Sequence, residues 1–119
     1  RDPGEFYIKN LQLQDNGKVK FSQPGQPTHL HIDGEFFWRA PMDHNVQELK
    51  AIASSFEVLI STLNRDYFIG KTFAGRIVAP YANVHIETTQ DTYYGSLIAL
   101  NIEARNFANI KVVPYVGNN

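Results

Sequence analysis

Short runs in which apolar and polar residues alternate fill the first third of the chain. Leu11 and Leu13 alternate with glutamines, Leu30 and Ile32 alternate with histidines, and three aromatic residues fall between Glu35 and Arg39. Alternation with period two is typical of strands that bury one face. Between these runs stand residues of turns and loops, namely Asp15-Asn16-Gly17, Pro24-Gly25-Gln26-Pro27 and Asp33-Gly34. The pattern predicts several short strands separated by tight connections.

Residues 45–56 follow a different period. Apolar side chains recur there at intervals of three and four residues, at Val46, Leu49, Ile52, Ala53 and Phe56. Asn45 and Glu48 have the spacing of a capping box. The pattern predicts one amphipathic helix, with Leu49, Ile52 and Phe56 packed onto the sheet.

A repeat is visible in the last third of the chain. Residues 73–79 match residues 93–99 in the order aromatic, Gly, branched apolar and Ala, at an offset of twenty residues. Such self-similarity in a β-rich segment is typical of stacked solenoid rungs, each burying its face against the next. We therefore predict a mainly β fold, a β-solenoid stack with one covering amphipathic helix. A β-sandwich is the alternative architecture.

Composition places the chain among single globular domains. The 119 residues, 43% of them hydrophobic and 19% charged, suffice for one core. Residues 1–6 resemble those encoded by cloning sites, so we assign the β-rich domain to residues 7–119. The chain has no cysteine, which excludes disulfides and thiolate chemistry.

Charge and hydropathy exclude two classes of partner. The net charge is -1 and the basic residues are scattered, which argues against nucleic acid as a partner. No apolar run reaches the roughly 20 residues that a bilayer-spanning helix needs, so we expect no membrane insertion.

The segment Gly75-Arg76-Ile77-Val78-Ala79-Pro80-Tyr81-Ala82-Asn83-Val84 resembles a run found in choice-of-anchor-A and fibro-slime-type bacterial surface proteins. Tyr81 stands where those families usually have Asn. Residues 94–99, 112–115 and 31–36 are similar to further strands of the same proteins. A weaker likeness is to bactofilins, whose short repeats build a β-helix. The resemblance implies an extracellular or cell-surface protein with a β-solenoid-like core, linked in some members to adhesion.

Aromatic residues are the leading candidates for a ligand-binding site. The set, too large to be enclosed entirely in a small core, is Phe37, Trp38, Tyr67, Tyr81, Tyr93 and Tyr94. A row of exposed Tyr and Trp rings stacks on sugar rings or packs against a protein partner. The competing interpretation is that these rings are core or cover the seam with the helix.

Metal binding and catalysis find weaker support in the sequence. His29 and His31 point the same way from one strand, and Asp33, Glu35 or His85 could complete a metal site with them. The sequence shows no such convergence. Asp15-Asn16-Gly17 lacks the spacing of a calcium loop. We expect no metal site and no cofactor.

Carboxylate catalysis is the remaining chemical possibility. It needs two acids at a set separation across a cleft, and the candidates are Asp33, Glu35, Asp43, Asp66, Glu87 and Asp91. No spacing singles out a pair, and no nucleophile elbow or phosphate loop appears. We expect a protein that is not an enzyme and has no catalytic residues.

Two functions fit these observations. The first is a non-catalytic, carbohydrate-binding module of a bacterial surface or secreted protein, recognising a polysaccharide or matrix polymer through exposed aromatics. The second is a structural, self-assembly or adhesion domain that contacts another surface protein. The first predicts a planar row of solvent-facing rings, and the second predicts apolar residues exposed at the first or last rung.

Overall fold

The computed structural model describes residues 4–13, 18–88, 91–104 and 109–116, which wind into a parallel β-solenoid of about five rungs with one helix. Every pairing between these strands is parallel, as the solenoid prediction requires and a sandwich does not. The elements are β1 (Glu5–Ile8), β2 (Leu11–Leu13), β3 (Thr28–Ile32), β4 (Phe36–Trp38), α1 (Val46–Ser55), β5 (Phe56–Ile60), β6 (Asp66–Ile69), β7 (Phe73–Ile86), β8 (Thr92–Ala104) and β9 (Asn109–Val112).

The rungs have three faces. The first face stacks β1, β3 and β5 with Arg76–Val78 of β7 and Ser96–Ile98 of β8. The second face stacks β2, β4 and β6 with Asn83–Ile86 and Asn101–Ala104. The third face consists of the bridge between Val19 and Met42, the starts of β7 and β8, and β9. The chain therefore enters the first face at β1 and completes the third face of the last rung at β9.

The twenty-residue repeat is confirmed as two adjacent rungs. Gly75 pairs with Gly95, Ile77 with Leu97, and Ala79 with Ala99. The register shifts after Ala79, so that the offset falls from twenty to eighteen where Asn83 pairs with Asn101.

Gly75 and Gly95 pair at one corner of the rungs, where the backbone conformation and the close approach of neighbouring rungs require glycine. Gly75 and Gly95 have φ of 150° and 143°, values that side-chain-bearing residues rarely adopt. A Cβ on Gly95 would also clash with the carbonyl of Gly75 on the rung below. Glycine recurs on both rungs because the same constraint recurs.

The predicted helix is confirmed as well. The Asn45 side chain accepts from the Glu48 N–H at 2.8 Å, and the Glu48 side chain accepts from the Asn45 N–H at 3.2 Å, which completes the capping box. The helix is inserted between the second and third rungs and packs against β5, β7 and β8. Leu49 and Ile52 are buried on this seam, and Phe56 continues directly into β5.

One boundary differs from the sequence-based expectation. β1 begins at Glu5, and Glu5 and Phe6 pair with His29 and Leu30, so residues 5 and 6 belong to the first rung and the β-rich domain begins before residue 7. Their alternation is too short to recognise without the register to β3. The expected turn at Asp15-Asn16-Gly17 lies outside the described residues.

The helix seam gives a stability prediction. Leu49→Ala removes a side chain that is 5% exposed, and we expect it to lower the free energy of unfolding by about 2–5 kcal/mol through lost burial and the resulting cavity. Val46→Ala, at a helix position that is 51% exposed, is the matched control and should change it little. Denaturant unfolding of both variants measures the difference, and equal effects would contradict the packing.

Candidate functional site

Three of the aromatic residues expected at the surface lie inside the solenoid. Trp38, Tyr67 and Tyr93 are 2%, 0% and 1% exposed, so their expected exposure is wrong. They occupy inward positions, and their polar ends are satisfied there: the Tyr67 hydroxyl donates to the Gly34 carbonyl at 2.8 Å, and the Tyr93 hydroxyl donates to the Ser96 carbonyl at 2.8 Å. A buried Tyr with a hydrogen-bond partner is an ordinary core residue.

Tyr94 is buried for a different reason. Strand alternation directs it to the side opposite Tyr93, but it is only 8% exposed because α1 packs over this part of β7 and β8. Its expected exposure is therefore also wrong. Simple alternation would have buried only one member of the Tyr93-Tyr94 pair, and the helix buries the other.

Phe37 lies half-exposed on the outer side of the second face, in one column with Gln12, Phe68, His85 and Glu103. The rings of Phe68 and His85 stack at 4.6 Å between centroids and 15° between planes. Rings stacked along the solenoid axis cover one another's faces and present edges to solvent. This column is therefore poorly suited to stacking on a sugar, although it borders a depression of about 300 Å³.

Tyr81 is exposed at the corner between the first and second faces, where 55% of its surface is accessible. It lines an apolar groove of about 700 Å³ that crosses the rungs. Tyr7, Leu59, Val78 and Pro80 also line this groove. The Tyr7 ring stacks on His31 at 4.4 Å between centroids, which covers one of its faces.

His85 links three rungs of the second face. Its Nε2 lies 3.1 Å from Asp66 Oδ1, and its Nδ1 lies 2.7 Å from Glu103 Oε1. Burial disfavours the charged imidazolium, but the hydrogen bonds to Asp66 and Glu103 outweigh burial and raise the pKa of His85. Hydrogen bonds from His85 and then from Asn83 lower the pKa of Asp66.

A second polar column runs along the first face. His29 Nδ1 lies 3.1 Å from Glu57 Oε1, and Arg76 donates to the other oxygen of Glu57 through Nε at 2.8 Å and through an Nη. The Tyr115 ring covers the Arg76 guanidinium at 4.5 Å, and the Val116 N–H donates to the Ser54 carbonyl at 2.9 Å. The C-terminal segment thus turns back along this face from the last rung toward the third.

The two histidines of β3 do face outward together, but they pair with different carboxylates. His31 Nε2 contacts Glu5 on the first rung at 2.5 Å, whereas His29 contacts Glu57 on the third. Within residues 4–13, 18–88, 91–104 and 109–116, no three metal-ligating side chains converge. None of the helices described is long and apolar enough to cross a membrane.

The last rung carries an exposed apolar surface whose residues the sequence did not single out, namely Ile98, Leu100, Ile102, Ile110 and Val112. Ile102 stacks on Val84, and their exposures are 52% and 0%; Ile110 stacks on Tyr93, and theirs are 45% and 1%. Ile102 and Ile110 are inward positions, and they are exposed because, among the described strands, none pairs with the outer edge of Ser96–Ala104 or of β9. Apolar residues at every second position, Ile98, Leu100 and Ile102, were the available signal, but only the register shows that they are uncovered.

No family model, curated protein or solved structure matches the chain. The resemblance to bacterial surface-protein families therefore stays a prediction.

The geometry of His85 generates a pH prediction. Because the pKa of His85 is higher in the folded than in the unfolded state, protonation of His85 stabilises the fold. This stabilisation is complete at pH values below the unfolded-state pKa, which is near 6.5, and it is lost as the pH rises through the folded-state pKa. We expect His85→Gln to destabilise the domain more at about pH 6 than at about pH 8.5. An NMR titration should place the His85 midpoint above 6.5, the value of an unperturbed histidine, and Glu103→Gln should lower that midpoint. A midpoint below 6.5 in the unaltered protein would contradict this account.

Proposed function

We propose that the chain is a non-catalytic structural and assembly domain of a bacterial surface or secreted protein, and that its last rung is a protein–protein interface. The observation that carries the proposal is the change in exposure along single columns, from 0% at Val84 to 52% at Ile102. An open, apolar sheet edge is a template for pairing with another chain. The resemblance to surface and matrix proteins supports the location.

The arrangement of carboxylates supports a non-catalytic role. Glu35 is bound to Arg65 at 2.6 Å, and Asp66 is bound to His85. The lowered pKa of Asp66 is opposite to the shift that a general acid of glycoside cleavage requires. Both carboxylates are engaged in ion pairs between neighbouring rungs, which supports a structural role for them.

Self-association of the isolated domain tests the interface. We expect the weight-average mass in sedimentation experiments to rise with protein concentration, and Ile102→Lys to abolish the rise because a charge at the apolar edge would have to be desolvated. Leu63→Lys is the matched control, since Leu63 is 65% exposed but lies in the loop between β5 and β6. A monomer at every concentration, or equal behaviour of the two variants, would refute the assembly function.

A second candidate function, recognition of a polysaccharide or matrix polymer, is supported by the groove at the corner of the rungs. Tyr81 and Tyr7 are 55% and 76% exposed and both line it. Tyr rings at the wall of an open apolar groove combine a flat face with a hydroxyl, which suits a sugar chain.

Retention on insoluble cellulose, chitin and xylan tests this second function. Tyr81→Ala should reduce retention several-fold if the groove binds glycan, while Leu63→Ala, outside the groove lining, should not. Phe37→Ala tests the outer column of the second face in the same way. Loss of retention in only one of the two variants shows which surface binds the glycan. Equal retention of all variants, or none by the unaltered domain, would exclude glycan binding at Tyr81.

A further inference from the structure

We propose that the partner of the last rung is the first rung of a second copy of this chain, joined head to tail with every column in register. The inference rests on the proposed assembly function and specifies its partner. In the contact, β2 of one copy pairs in parallel with Asn101–Ala104 of the other, and β1 continues the first face beyond Ser96–Ile98.

The winding of the chain makes the two ends complementary. The described solenoid starts on the first face with β1 and finishes on the third face with β9. The last rung consists of Ser96–Ile98, Asn101–Ala104 and β9, and no described strand pairs with the outer edge of any of the three. The next strands needed are one on the first face and then one on the second, which is the order in which β1 and β2 occur.

The side chains of the second face match across this junction. The register within the domain places Leu11, Gln12 and Leu13 in the same columns as Ile102, Glu103 and Ala104, respectively. A second copy that keeps this register sets Leu11 on Ile102 and Leu13 on Ala104 inside the core. On the outside it sets the Gln12 amide, a hydrogen-bond donor, on the Glu103 carboxylate.

The first face adds an apolar contact. Tyr7 is 76% exposed at one end of a column that finishes with Ile98, which is 48% exposed. Head-to-tail stacking would place these two side chains against each other and extend the column. The C-terminal segment lies beside this face, with Tyr115 on Arg76, so the second face offers the less encumbered edge.

A contact between two identical ends would behave differently. It would run the edge strands antiparallel about a two-fold axis and close as a dimer, whereas a head-to-tail contact is heterologous and leaves an open end for the next copy. Parallel stacking also continues the pairing that already joins every rung of the domain. The two arrangements are therefore distinguishable by which ends meet.

Cysteine cross-linking tests the register, and the cysteine-free chain gives no background of its own. Gln12→Cys and Glu103→Cys are prepared as separate proteins, mixed, and oxidised mildly. Directly opposed residues on neighbouring strands lie ~4.8 Å apart, within the Cα range that a disulfide spans. We expect a covalent dimer from the mixture and little from either protein alone. Glu103→Cys mixed with Leu63→Cys is the out-of-register control.

The cross-linking results distinguish the possible arrangements of the two copies. Cross-linking of Glu103→Cys with itself would overturn the head-to-tail arrangement while leaving the last rung as an interface. Cross-linking no greater than the Leu63→Cys control would overturn the proposal outright, and the sedimentation of Ile102→Lys would still report on the assembly function. Tyr7→Cys mixed with Ile98→Cys is a second in-register pair, independent of the Glu103 contact to His85. A protein carrying both Gln12→Cys and Glu103→Cys should form a ladder of covalent oligomers.

Discussion

Parallel, in-register pairing of one rung on the next is the constraint on which the rest of the molecule depends. Between the two end rungs, each strand residue has a neighbour directly above and below at ~4.8 Å, so the residues of a column must be compatible with one another. Inside, this selects columns such as Val58, Ile77 and Leu97; outside, it selects alternating partners, as in His29, Glu57 and Arg76. The same rule places the Phe68 ring flat on His85, which fixes the rings but leaves little of their faces for a ligand.

The helix modifies this regular stack at one corner. Insertion of α1 between the second and third rungs lets a segment far from β7 and β8 in sequence cover their outer side. That cover is why Ala74 and Tyr94, on the outward phase of their strands, are buried. The domain therefore has two apolar layers, the interior of the solenoid and the helix seam.

Much of the fold was predictable because its determinants are local or periodic. The capping box at Asn45 and the helical spacing of Leu49 and Ile52 lie within one segment, and the glycine repeat at Gly75 and Gly95 reports a backbone constraint common to two rungs. The site was not predictable to the same extent. Whether Tyr67 or Ile102 is buried depends on what lies above it in the stack, and a single sequence does not contain that register.

The C-terminal segment has a mechanical consequence. In a plain stack of rungs, a force applied at the end of the chain peels away the last strand first, breaking its hydrogen bonds one at a time. Here the Val116 N–H is bonded to Ser54 and Tyr115 covers Arg76, so the end of the described chain is anchored at the third rung. Tension on that end would load the helix terminus and the interior of the stack before it reached β9. A solenoid built in this way resists unwinding from its last rung.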